Sequence, residues 1–113
     1  MPQREYKLAG VYTGGWEFAK ILEARTHKQT ICVDPHTRTI NCDIAKGDYA
    51  VVCEDVTTAA GSAKKCIDLL REHEVEVDRV LTIVDRQEDA VDNLAAIGVK
   101  LEPLLTKTNL GIR

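Results

Sequence analysis

The chain has 113 residues, of which 44% are hydrophobic and 29% charged, with a formal net charge of −3, enough for one core but not two. The mild acidic excess argues against a nucleic-acid partner, whose phosphates need neutralising by Lys and Arg; no run approaches the roughly 20 apolar residues of a membrane helix, and the polar start, Met1 to Lys7, lacks the apolar segment of a signal peptide. The expectation is a single domain over residues 1–113 of a cytoplasmic protein that binds neither nucleic acid nor membrane.

In chain order, Leu8 to Tyr12 predicts a short strand, and Gly14-Gly15 leads into a helix from about Trp16 to Arg25 with Phe18, Ala19, Ile21 and Leu22 as its apolar stripe. Two β-rich runs follow, Thr30 to Asp34 and Thr37 to Ile44. The turn-favouring Asp34-Pro35-His36-Thr37 between them predicts a hairpin. After the turn Lys46-Gly47-Asp48, Tyr49 to Cys53 predicts a buried strand with Glu54 and Asp55 at its end. A helix from about Ser62 to Glu74 places Ala63, Cys66, Ile67 and Leu70 on one side, and Lys64 with Asp68 forms an i,i+4 pair. Arg79 to Val84 reads as another buried strand, Glu88 to Ile97 as a helix ending at the cap residue Gly98, and Val99 to Leu105 as the last strand. Strands alternating with helices predict an α/β fold, a Rossmann-like, mostly parallel sheet with helices on both faces.

Cys32, Cys42, Cys53 and Cys66 show no C-x-x-C spacing and lie in or beside apolar runs, so they predict buried thiols rather than metal ligands. A disulfide between Cys32 and Cys42 across the hairpin stays open. His27, His36 and His73 lie in polar surroundings and read as solvated.

The chemistry concentrates in two strand-to-helix turns. The first, Gly10-Val11-Tyr12-Thr13-Gly14-Gly15, has paired glycines that permit close approach of main chain to a ligand, although many folds need glycine there for geometry alone. The second follows two adjacent carboxylates, Glu54 and Asp55, with hydroxyls and small residues from Thr57 to Ser62 that open a helix. Open α/β sheets bind ligands at the carboxyl ends of their strands, and a helix N-terminus offers N–H groups and a favourable dipole to an anion. Two such cradles on one sheet edge suit a ligand phosphorylated at both ends. Adjacent acids after a strand also occur in phosphate-switch receiver domains and nucleotide-hydrolase metal sites; the hydrolase alternative loses ground because no G-x-x-x-x-G-K-[ST] loop is present.

The stretch Val51-Val52-Cys53-Glu54-Asp55-Val56-Thr57-Thr58-Ala59-Ala60-Gly61-Ser62 resembles the phosphoribosyl-pyrophosphate motif of type I phosphoribosyltransferases, and Leu8 to Gly15 resembles their pyrophosphate loop. Ile83-Val84-Asp85-Arg86-Gln87-Glu88, Asn93-Leu94-Ala95-Ala96-Ile97-Gly98 and Leu104-Leu105-Thr106 with Leu110 are similar to the orotate branch, so the likeness spans roughly Leu8 to Ile112. It implies that Glu54 and Asp55 accept hydrogen bonds from the ribose hydroxyls, with Asp55 close to the reacting centre. It also implies that Thr57, Thr58, Ala59, Ala60, Gly61 and Ser62 cradle the 5-phosphate, that Tyr12, Thr13, Gly14 and Gly15 wrap the pyrophosphate, and that Arg86 faces the base, where it would pair with the orotate carboxylate. Magnesium would be held mainly by the substrate's own oxygens, without a dedicated protein cage, and the family likeness suggests a homodimer.

The chain departs from the family in three places. The turn Asp34-Pro35-His36-Thr37-Arg38 replaces a flexible basic loop and has no lysine; about seven residues precede the first strand where the family places a base-binding hood; and Ala60 stands where glycine is common. The resemblance implies transfer of the 5-phosphoribosyl group from phosphoribosyl pyrophosphate to a pyrimidine base, most plausibly orotate. The alternative it leaves is a non-catalytic homologue that binds phosphoribosyl pyrophosphate or a nucleotide.

Overall fold

The computed structural model describes residues 4–57 and 60–106. They build one six-stranded sheet, β1 (Lys7–Val11), β2 (Thr30–Asp34), β3 (Thr39–Ile40), β4 (Ala50–Thr57), β5 (Arg79–Asp85) and β6 (Lys100–Thr106), with helices α1 (Gly14–Thr26), α2 (Gly61–Glu72) and α3 (Ala90–Ala95). The order across the sheet is β3-β2-β1-β4-β5-β6. Every neighbouring pair is parallel except β2 with β3, which is antiparallel. The expected mostly parallel architecture is therefore the one observed.

Alternation along the strands divides the core in two. Ala9, Val11, Ile31, Val33, Ala50, Val52 and Val80 face α2 and α3, meeting Ala63, Cys66, Ile67 and Leu70 from α2 and Ala90 and Leu94 from α3. Leu8, Val51, Cys53 and Leu81 face the other way and meet Phe18 and Ala19 of α1. Helices thus cover both faces, and each fully buried Leu, Ile or Val contributes about 1.5–3 kcal/mol by leaving water. Among the described residues no helix is long and apolar enough to cross a membrane.

The structure corrects several local expectations. Ile21 is solvent-exposed, because at 100° per residue it lies well off the arc shared by Gly15, Phe18, Ala19 and Leu22. The run from Thr37 to Ile44 yields only the two-residue β3. At Asn41 the backbone N–H still reaches the Cys32 carbonyl at 3.1 Å, but the side-chain Oδ1 takes the Cys32 N–H at 2.9 Å, so a side chain replaces the ladder there. Asn41, not Cys42, therefore stands opposite Cys32, and all four cysteines are free thiols. Helix α3 starts two residues late, after Gln87 and Asp89 adopt left-handed φ values of 60° and 68°. Gly98, at φ 76°, follows α3 in the left-handed conformation expected of it. Lys64 and Asp68 are both exposed, and no ion pair between them is found.

The strand carrying the acids also runs further than expected. It continues through Thr57 because β5 keeps pairing with it, Val56 against Val84 and Thr57 against Asp85. Glu54 and Asp55 are thus strand residues rather than the start of a loop.

Candidate functional site

The chain leaves β1 toward β2 on one side of the sheet and leaves β4 toward β5 on the other. The carboxyl ends of β1 and β4 are adjacent in the sheet, so the crevice between their turns is a topological switch point, the place where open α/β sheets take their ligands. Both turns singled out from the sequence open there.

The first turn is fitted directly to the acids. A methyl group on Gly14 would stand 1.8 Å from Asp55 Oδ2, and one on Gly15 would stand 2.2 Å from the Cys53 carbonyl oxygen. Glycine at these positions lets the start of α1 lie against the end of β4. Tyr12 and Thr13 precede it, joined by a cis peptide bond, and both are exposed to solvent.

Strand alternation sends the two acids to different sides. Asp55 continues the α1-facing set and lies under Gly14, half-buried, with its Oδ1 accepting the Val56 N–H at 2.8 Å. Glu54 continues the α2-facing set and is only 8% exposed. Their carboxyl groups nevertheless interact. Burial, then a hydrogen bond and the charge of Asp55, push the Glu54 carboxyl up to about 8, so near neutral pH one proton is retained by the pair. Burial, with the Glu54 charge next in order, also pushes the Cys66 thiol on α2 up to about 12, which keeps that sulfur unreactive.

The second turn contains Thr58 and Ala59, which lie outside the described residues. On its far side Ala60 takes a left-handed φ of 69° at the N-cap of α2, where no side chain caps the helix. Gly61 and Ser62 are exposed at the helix start, whose first N–H groups have no partner within the helix. Thr57 corrects an expectation: its side chain is 2% exposed and its hydroxyl donates to Thr82 Oγ1 at 3.0 Å. That hydroxyl faces the core and is engaged there rather than offered to a phosphate.

Arg86 follows β5, and its backbone N–H donates to the Thr57 carbonyl at 2.9 Å, which ties it to the same edge. Its guanidinium is half exposed and lies 3.4 Å from Glu88, a surface pairing worth little. Asp85 does not pair with it; that carboxylate is 4% exposed and accepts the Gln87 N–H at 2.8 Å. At the end of β2, Asp34 Oδ1 accepts the N–H groups of His36 and Thr37 at 2.9 and 3.3 Å, and Arg38 pairs with Glu72 of α2, so the short hairpin turn is pinned and its one arginine engaged. Among the described residues no three His, Cys, Asp or Glu side chains are grouped to hold a metal ion.

Thr82 was not legible as a site residue. In the run Val80-Leu81-Thr82-Ile83-Val84 a threonine reads as one more β-branched strand former, and only the fold shows its hydroxyl behind both Asp55 and Thr57.

A doubly wound α/β core with an acidic pair between two turns at its switch point is the class that fold and site define. No family model matches the chain. It is 36% identical over 112 residues to the orotate phosphoribosyltransferase of Methanococcus maripaludis, covering 94% of this chain and 60% of that one. The corresponding enzyme of Methanocaldococcus jannaschii is also 36% identical over 112 residues, with 94% and 64% covered. Among solved structures, the crystal structure of orotate phosphoribosyltransferase from Aeropyrum pernix superposes with a TM-score of 0.85 at 38% identity, covering 96% of this chain and 64% of that one. Over nearly its whole length the chain is therefore similar to orotate phosphoribosyltransferases, and it shares the fold of the type I phosphoribosyltransferases among them. It spans about 60% of the length of the curated relatives it matches.

Proposed function

We propose that this chain is the sugar-phosphate-binding core of an orotate phosphoribosyltransferase, which transfers the 5-phosphoribosyl group from phosphoribosyl pyrophosphate to orotate. The observation that carries the reading is the seating of Gly14 against the Asp55 carboxylate, a closeness of the first turn to the acid pair that supports one shared ligand crevice.

In this reading Glu54 and Asp55 accept hydrogen bonds from the ribose 2′- and 3′-hydroxyls, and the pair releases its retained proton to solvent as the diol arrives. The exposed N–H groups at Gly61 and Ser62, with Thr58, Ala59 and Ala60, hold the 5-phosphate at the positive end of α2. Tyr12 to Gly15 wrap the pyrophosphate through main-chain groups. Arg86 exchanges Glu88 for the carboxylate of the base. Bond cleavage at an oxocarbenium-like carbon needs little covalent help, so the chain's contribution is positioning and charge stabilisation. Magnesium, if bound, would supply positive charge for the pyrophosphate, and the family resemblance implies that the substrate's own oxygens would hold most of it. A homodimer, on the family resemblance, and a cytoplasmic location, on the polar sequence from Met1 to Lys7, complete the reading.

The test mixes protein, magnesium, phosphoribosyl pyrophosphate and orotate, following orotate absorbance beside calorimetric binding. Orotate consumption that requires all the other components is expected. Binding without turnover would leave a non-catalytic binding module, and failure to bind phosphoribosyl pyrophosphate would refute the proposal.

A further inference from the structure

We propose that Thr82, a fully buried residue in the middle of β5, is a positioning residue that fixes the distance between the diol-binding acids and the 5-phosphate turn. The inference rests on the function proposed above and adds to it a residue that touches no ligand.

The geometry is a clasp centred on one hydroxyl. Thr82 is 0% exposed. Its Oγ1 accepts the Thr57 hydroxyl at 3.0 Å and lies 3.2 Å from both the Asp55 and the Val84 carbonyl oxygens. One proton serves two acceptors, so the group is fully used. Thr57 is held a second time, by the Arg86 N–H on its carbonyl at 2.9 Å. The two residues clasped to β5, Asp55 and Thr57, bracket Val56; one carries an acid of the pair, and the other is the last strand residue before the phosphate turn. A slip of β4 against β5 at this point would change the span between ribose hydroxyls and 5-phosphate, which the ligand fixes covalently. Valine would fill the same space without the hydroxyl, leaving the Thr57 donor buried and unmatched. Serine would keep the clasp.

The fragments of the substrate separate the two sites. Ribose 5-phosphate must reach the acids and the phosphate turn together, whereas magnesium pyrophosphate needs only the Tyr12 to Gly15 turn. The experiment measures calorimetric affinity for each in wild type, Thr82→Val and Thr82→Ser. Thr82→Val is expected to weaken ribose 5-phosphate about five- to tenfold and to leave magnesium pyrophosphate within about twofold. Thr82→Ser should restore the first affinity to within about twofold of wild type. Equal ribose 5-phosphate affinity in wild type and Thr82→Val would overturn the clasp while leaving the proposed function intact; equal weakening of both fragments would show a general loss of structure and also overturn it. A wild type that binds neither fragment would overturn both proposals, since the clasp then has no site to set. Should Thr82→Val not fold, Thr57→Val removes the donor of the same hydrogen bond and is read the same way.

Discussion

The two turns that flank the crevice are specified by different physics. In the first, a methyl group on Gly14 or Gly15 would lie 1.8 Å from Asp55 or 2.2 Å from the Cys53 carbonyl, whereas on Gly61 in the second it would meet nothing within 4 Å. The first turn is defined by contact, with the backbone of α1 pressed on the end of β4. The second is defined by conformation, with Ala60 left-handed at φ 69° and the helix start open to solvent. Each turn also has its own acid, the half-buried Asp55 under the first and the buried Glu54 on the α2 side.

The largest expected effect lies on the buried side of that contrast. The Glu54 carboxyl is pushed from its ordinary 4.5 up to about 8, by burial first and by Asp55 second. A folded-state value above the unfolded one means that the stabilisation is complete below about 4.5 and is lost as pH rises through about 8, a swing on the order of 5 kcal/mol at most. Glu54→Gln keeps the shape and removes the titration. Its urea midpoint should therefore gain on wild type between pH 5 and pH 8.5, and a gap that stays constant with pH would show that Glu54 is ionised throughout.

Gly15→Ala probes contact at its hardest point, since the obstructing atom is backbone. Overpacking of this kind costs about 1–3 kcal/mol, so thermal melting should fall by roughly 5–20 °C. Gly14→Ala meets instead the end of a side chain that can rotate. Melting should change less, while affinity for ribose 5-phosphate should drop about tenfold as Asp55 is displaced. Should both variants lose stability equally, the proposed difference between a backbone and a side-chain contact is wrong.

Much of this was legible in the sequence, and the reasons differ by element. The stripe Ala63, Cys66, Ile67 and Leu70 located α2 because burial alone sets such spacing, and the acid pair followed by small and hydroxylated residues located the crevice. Three features were hidden. Thr57 was assigned to the phosphate by residue type, but its orientation follows from the pairing of β4 with β5, which extends the strand through it. Thr82 carries no local signal because its two partners on β4 are 25 and 27 residues away. Ile21 looked like part of the α1 stripe by hydropathy, yet only the angular position of each residue decides which side chains that helix buries.

The smallest effects test the open turn. Ala60→Gly removes a left-handed alanine, a relief of about 1–2 kcal/mol, but forfeits a buried methyl worth about 0.8 kcal/mol and adds the unfolded-state freedom of glycine, about 0.4–1 kcal/mol. These terms nearly cancel, so its urea midpoint should sit close to wild type. Gly61→Ala has no opposing term, because the added methyl meets nothing within 4 Å and joins the first turn of α2. It should stabilise by about 0.4–1 kcal/mol. The same Gly→Ala replacement would then raise stability at Gly61 and lower it at Gly15, and equal signs at the two positions would remove the distinction between a turn set by contact and one set by conformation.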